Sequence, residues 1–269
     1  MDFIQAVIQY EFLQRAIISG VCLGMLYVWL GLFTYMKKMS FYADGIAHAS
    51  LLGFALGWYF KQSDFLTSIL SAIIFGCLVY ILERRTRIGN DTLISILFTG
   101  GMALGIMVLY LLPGYKPDLL AYLFGNILTI TQIDYIGISL FSIVTIALGI
   151  WHRDKLTLVF YDPIEAKLKK INVEIYEFLF YIVLSVSIIL GVRLMGVVLI
   201  SAMLILPTFI SMLLCSNLKQ VIISSSIIIL LIVTIGIYIS YSLNLPTGPS
   251  VVIVGLVLVL LSLVKQKLS

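Results

Sequence analysis

The sequence predicts an all-α fold, a polytopic integral membrane bundle of eight or nine transmembrane helices. Three observations lead there. Of the 269 residues, 61% are hydrophobic and 11% charged, against roughly 45–50% and 25% in a soluble domain, and mean hydropathy is +1.14. Apolar runs of about 20 residues, the length that crosses a bilayer as a helix, recur from end to end. The polar connections between them are too short to hold a soluble domain. The chain therefore reads as one transmembrane domain over 1–269, with a short helix in a polar loop near 162–171.

The spans fall at roughly 12–36, 41–60, 65–82, 92–112, 133–151, 176–193, 196–215, 220–241 and 249–264. The first is longer than a signal-peptide core, lacks a basic leader and runs into Lys37 and Lys38 without a small-residue cleavage pattern, so it is taken as a mature span. The second opens with Asp44 and His48 inside an otherwise apolar run. The third ends on the basic stretch 83–87, and the fourth carries Gly101 and Gly105. Between the fourth and fifth, "DLLAYLFGNILTI" (118–130) is too short to span and reads as a helix lying at the surface. The sixth and seventh meet at "GVRLMGVVLI" with almost no polar loop, which is why eight spans is the alternative count. "LPTGPS" (245–250) is a turn that delivers Pro249 to the start of the last helix.

Orientation follows from the cations, because cytoplasmic loops are enriched in Lys and Arg. Lys37, Lys38, the three arginines of 83–87, the five cations of 152–170, Lys219, Lys265 and Lys267 place thirteen of seventeen on one side, the cytoplasmic one. Arg15, Lys61, Lys116 and Arg193 stay on the other, so the C-terminus is inside and, with nine spans, the N-terminus outside. The net charge of +4 reflects this asymmetry and forms no patch for nucleic acid.

Charged groups in a membrane helix are costly, about 2.5–3.5 kcal/mol near its centre on insertion scales, so Asp44 and His48 call for a reason. Four residues apart, they project from one face of a helix and can meet one ion. A carboxylate with an imidazole suits a divalent transition ion such as zinc. The bland reading has Asp44 capping the helix and His48 in a wet interface. Two ligands from one chain are too few for a closed zinc site, whereas a two-fold dimer would bring four to a shared axis.

In "YDPIEAKLKKI" (161–171), Asp162 can cap a helix, Pro163 stands at its first position and Glu165 follows three residues after the cap. Ile164, Leu168 and Ile171 then form one apolar stripe. A helix this short is unstable alone, so the stripe docks either on a cytoplasmic partner or on lipid and its own bundle. Pro207, within "SAMLILPTFISMLL", removes a backbone donor and frees the carbonyl of Met203, lining a path or kinking a packed helix. The pairs Gly20/Gly24, Gly53/Gly57 and Gly101/Gly105 permit close helix contact without identifying an oligomer interface. Cys22, Cys77 and Cys215 are isolated and read as small buried hydrophobes. His152, beside Arg153, reads as solvated. No phosphate-binding G-x-x-x-x-G-K-[ST] loop is present, which excludes ATP hydrolysis by the usual route, and no H-E-x-x-H, which argues against an intramembrane zinc protease.

"KKMSFYADGIAHASLLGFALG" (37–57), "DLLAYLFGNILTITQID" (118–134), "GVVLISAMLILPTFISMLL" (196–214) and "LPTGPSVVIV" (245–254) together resemble signatures of the membrane permease subunits of ABC-type zinc and manganese uptake systems in bacteria, over about 15–264. The "HASLLG" and "AYLFGN" wording looks more like the zinc branch. Ala43 departs from the pattern, which commonly has glycine there, and "LPTFIS" replaces a more alanine-rich segment. The resemblance implies the ABC importer permease fold, working as a homodimer with a cytoplasmic ATP-binding subunit and an extracytoplasmic metal-binding protein. It implies that Asp44 and His48 lie on the metal path and that the 162–171 helix contacts the ATPase. The expected function is passage of Zn2+, a transported substrate rather than a bound cofactor, across the bacterial inner membrane into the cytoplasm. The chain itself is then no enzyme. Manganese or iron import is the same-family alternative. A stand-alone cation symporter would have no use for a capped, partner-seeking helix, and a structural membrane protein would not need Asp44 and His48.

The topology is open to a direct test. Single cysteines placed at Ser63 and at Thr86 in a Cys-free background are expected to label from opposite sides of the membrane, and labelling of both from one side would mean a miscounted span.

Overall fold

The computed structural model describes residues 9–112 and 131–268; the segment 118–130 lies outside them. Every element among the described residues is helical: α1 (Glu11–Met36), α2 (Tyr42–Tyr59), α3 (Asp64–Arg85), α4 (Asn90–Leu111), α5 (Gln132–Trp151), α6 (Arg153–Tyr161), α7 (Pro163–Leu168), α8 (Val173–Met195), α9 (Val197–Leu214), α10 (Leu218–Leu243) and α11 (Thr247–Leu268). Each of the nine apolar segments holds one helix. Seven helices, α1, α3, α4, α5, α8, α10 and α11, are long and apolar enough to cross a membrane, and the apolar part of α9 is shorter, Leu199–Leu214. The chain is a multi-pass membrane protein.

Helices dominate because a bilayer offers no water to unpaired backbone groups, and a helix satisfies its own. Their ends are set locally. The Ser63 hydroxyl accepts from the Leu66 amide at the start of α3, and the Asn217 side chain accepts from the Gln220 amide at the start of α10 at 2.9 Å. Lys38, Lys61, Lys170 and Asn244 take left-handed conformations, with φ of 55°, 54°, 58° and 53°, where the chain leaves a helix. One residue, Gly196 at φ 79°, joins α8 to α9. Only glycine takes that conformation without strain, and it explains why no polar loop separates the two spans.

The chain forms two compact units, one of 1–35, 120–150 and 191–269, the other of 36–119 and 151–190. In the first, α9, α10 and α11 pack on one another, and α1 presses Gly31 against the Leu204 carbonyl of α9 and Gly24 against Ile229 of α10. The Trp29 indole covers Gly149 of α5. Arg193 pairs with Asp134 at 3.1 Å, and Asp134 in turn exchanges hydrogen bonds with Thr131 at the start of α5.

In the second unit α2 lies against both α3 and α4. Gly53 of α2 faces the Thr67 carbonyl and Ser71 of α3, while Gly101 and Gly105 of α4 meet Ala49 and the Leu51–Leu52 backbone of α2. The Gly101/Gly105 spacing thus serves contact within the chain. Cys22, Cys77 and Cys215 are all free and half-buried.

Because backbone lies against Gly105 and open space against Gly100, the two glycines respond oppositely to a methyl group. Gly105→Ala is expected to destabilise the purified protein by about 1–3 kcal/mol through overpacking. Gly100→Ala is expected to be neutral or to stabilise by roughly 0.5–1 kcal/mol. Denaturant unfolding in detergent micelles measures both.

Candidate functional site: an aspartate–histidine pair on helix α2

Helix α2 starts at Tyr42, with Phe41, which offers no side-chain cap, at its N-cap. Asp44 is therefore the third helical residue and not the cap. A carboxylate in the first turn is favoured by the partial positive charge of the helix N-terminus. His48 follows one turn later and meets the Phe98 ring of α4 edge to face, centroids 5.1 Å apart. Both side chains are half-buried, while Ala43, Ile46 and Ala47 between and beside them are wholly enclosed. The half-exposed line continues along α2 through Leu52 and Leu56.

Asp44 and His48 supply two donors, and among the described residues no group of three or more His, Cys, Asp or Glu side chains is placed to hold a metal ion. A closed zinc site takes four ligands. One chain thus presents two such side chains along a half-exposed edge of α2.

The loop after α5 forms two short helices. At α7 the Asp162 carboxylate accepts from the amides of Ile164 and Glu165, both at 3.0 Å, and Pro163 occupies the first position. Glu165 pairs with Lys169 at 2.8 Å. The helix ends at Leu168, earlier than the 171 expected from the stripe. Lys170 is left-handed at φ 58°, its amide donates to the Lys167 carbonyl, and the Ile171 amide donates to Ala166 at 3.0 Å, a Schellman ending. The cause is the next helix. The Asn172 side chain caps α8 by accepting from the Ile175 amide, so the chain must turn before it. Ile171 lies past the helix, and the free apolar face is Ile164 and Leu168, 74% and 78% exposed.

Two further expectations are corrected or refined. His152 is half-buried, and its Nδ1 shares a hydrogen bond of 3.0 Å with the Tyr176 hydroxyl, so a tertiary partner replaces solvent. Helix α9 runs on through Pro207, whose carbonyl accepts from the Ser225 hydroxyl of α10 at 3.2 Å. Asp44, His48 and α7 belong to the second unit and Pro207 to the first.

Sequence reasoning missed a polar cluster in the second unit. Lys37, on the segment leading into α2, lies 3.3 Å from Glu83 of α3 and 3.0 Å from Glu177 of α8. The side chains are 12%, 23% and 16% exposed. Tyr181 of α8 donates to Glu83 in a short hydrogen bond, Asn90 donates to Glu83 at 3.0 Å, and Arg84 pairs with Glu174 at 2.9 Å. Breaking so enclosed a pair by removing one partner costs about 3–5 kcal/mol. The available signal was the three glutamates at the margins of the third and sixth spans, which a count of cations alone passes over.

The chain belongs to the ABC 3 transport family, whose model matches residues 9–266. It is 30% identical over 262 residues to the manganese import system permease protein ScaB of Streptococcus gordonii, an alignment covering 97% of this chain and 94% of ScaB. It is 28% identical over 260 residues to the high-affinity zinc uptake system membrane protein ZnuB of Haemophilus influenzae, covering 96% and 99%. In structure it is similar to a chain of PsaBC from Streptococcus pneumoniae in complex with Fab, with a TM-score of 0.84 at 28% identity, covering 97% of this chain and 94% of that one. The fold is that of an ABC importer permease.

Proposed function

We propose that this ABC 3 family chain is the permease subunit of an ATP-binding-cassette importer that carries Zn2+ across the bacterial inner membrane into the cytoplasm. ATP is hydrolysed by a separate cytoplasmic subunit, an extracytoplasmic metal-binding protein delivers the ion, and the chain works throughout as one permease domain. The observation that carries this reading is the Asp44–His48 pair, one turn apart on a half-open edge of α2. In a homodimer the two copies contribute four donors to one ion, the number a tetrahedral site needs. Carboxylate and neutral imidazole suit a borderline dication. The field of the α2 N-terminus, which favours the carboxylate, opposes a cation. That opposition keeps the site weak enough to release its ion, as conduction requires. Manganese import is the second reading, supported by the relative named for it at 30% identity.

The exposed Ile164 and Leu168 of α7 form the contact with the ATPase, on a helix whose start is fixed by Asp162, Pro163 and Glu165, with Ile171 in the turn beyond. Pro207 lets α9 bend.

In vesicles containing the assembled transporter, Asp44→Ala and His48→Ala are each expected to cut zinc uptake by at least the roughly tenfold that loss of even an outer-shell metal partner costs. Normal zinc and manganese uptake by the well-expressed double variant would refute the assignment. For the α7 contact, Leu168→Glu and Leu168→Lys are both expected to lose the ATPase subunit in a pull-down, because a docked face cannot take a charge. If both variants keep the subunit and coupled hydrolysis, α7 rests on lipid, where a lysine reaches back to water.

A further inference from the structure

The first three turns of α8 carry Glu177, Tyr181 and Ser185 on one line, four residues apart. Each member of that line holds a different point of the segment that leads into α2. Glu177 holds the Lys37 ammonium at 3.0 Å. The Tyr181 hydroxyl points at the Met39 sulfur at 3.2 Å, and Ser185 and the Tyr181 carbonyl take the Tyr42 hydroxyl at 3.1 and 3.4 Å. Tyr42 and Tyr181 are fully enclosed and pack edge to face, centroids 5.5 Å apart. Asp44 is two residues beyond Tyr42.

The other end of α8 is joined to α7 without slack. The amides of Lys169, Lys170 and Ile171 all bond back to α7, and Asn172 already caps α8. Nothing in 169–172 is left to absorb a displacement of α7.

We propose that Lys37, clamped between Glu83 and Glu177, together with Tyr42 and Tyr181, forms a set of positioning residues that ties the first turn of α2, and so Asp44, to the movement of α7 and α8. The proposal rests on the permease reading above and adds how the ATPase contact reaches the ion. The chemistry of the clamp makes it a tie and not a hinge. One ammonium serves two carboxylates on two helices, α3 and α8, so drawing those helices apart strands one carboxylate with little solvent to receive it. The helices and the α2 approach move together or the pair must break. Removing the ammonium takes out the charged part of the tie and leaves only the Met39 and Tyr42 contacts to carry movement of α8 to α2.

The test uses the permease with its ATPase subunit in vesicles, with zinc alone and manganese alone as the transported ions, and four readouts. These are retention of the ATPase, basal ATP turnover, ions moved per ATP, and the ATP-dependent change in labelling of Leu52→Cys in a Cys-free background. Lys37→Met is expected to keep the ATPase and basal turnover while ions per ATP fall at least about fivefold, a typical coupling factor, and the labelling change at 52 shrinks with it. Lys37→Arg, which keeps the charge between the two carboxylates, is expected to restore most of both. Native coupling in Lys37→Met overturns the proposal. So does equal loss of Lys37→Met and Lys37→Arg protein from the membrane, which would make the cluster a requirement of folding alone. Normal transport by Asp44→Ala in the same vesicles would sink the pathway reading instead, and the labelling at 52 would still report on the tie.

Discussion

A polar group inside a bilayer has no water to turn to, and most of the described structure follows from where each one finds a substitute. Hydroxyls fold back on their own helix: Thr34 donates to the Leu30 carbonyl, Ser50 to Ala47 and Ser185 to Tyr181. Backbones that approach closely do so through glycine, as at Gly31 and Gly105. The charges clustered around Lys37 in the second unit satisfy one another, with Lys37 shared by Glu83 and Glu177. Asp44 and His48 differ from these groups in being half-buried, on an edge of α2 that also carries Leu52 and Leu56. On the proposed reading, a carboxylate and an imidazole on such an edge suit an ion that arrives and leaves.

The distribution of legible and illegible features has a physical cause. The apolar helical segments could be read from hydropathy because each is a local property of some twenty consecutive residues, although only seven of the described helices are long and apolar enough to cross a membrane. The start of α7 could be read for the same reason, since its cap is made within residues 162–165, Asp162 accepting from the Ile164 and Glu165 amides. Its end could not. The turn at Lys170 has no glycine to announce it, and it is forced by Asn172 capping a different helix. His152 and the Lys37 cluster were out of reach because their partners, Tyr176 in one case and Glu83 and Glu177 in the other, are brought in by tertiary packing.

The Asp44–His48 pair was visible as a spacing, and what the structure adds is its neighbours on α2 and α4. Asp44 lies in the first turn of α2, two residues beyond the buried Tyr42, whose ring packs against Tyr181 of the charge cluster. On the proposed reading, the ion-binding pair begins in the same turn of α2 that Tyr42 anchors. The membership of the chain in the ABC 3 transport family fits a division in which this chain supplies the passage and other subunits the fuel and the cargo.

The left-handed lysines carry a consequence for biogenesis. Lys38, Lys61 and Lys170 each follow the end of a helix at φ between 54° and 58°, where glycine would sit with less strain. Yet lysines 38 and 170 are also among the cations that, if the enrichment of cytoplasmic loops in Lys and Arg holds for this chain, would mark the side that stays in the cytoplasm. A glycine there would terminate its helix better while erasing part of that address. The same two positions thus answer to folding and to membrane targeting at once, and the strain they retain is what a chain gives up to be threaded the right way round.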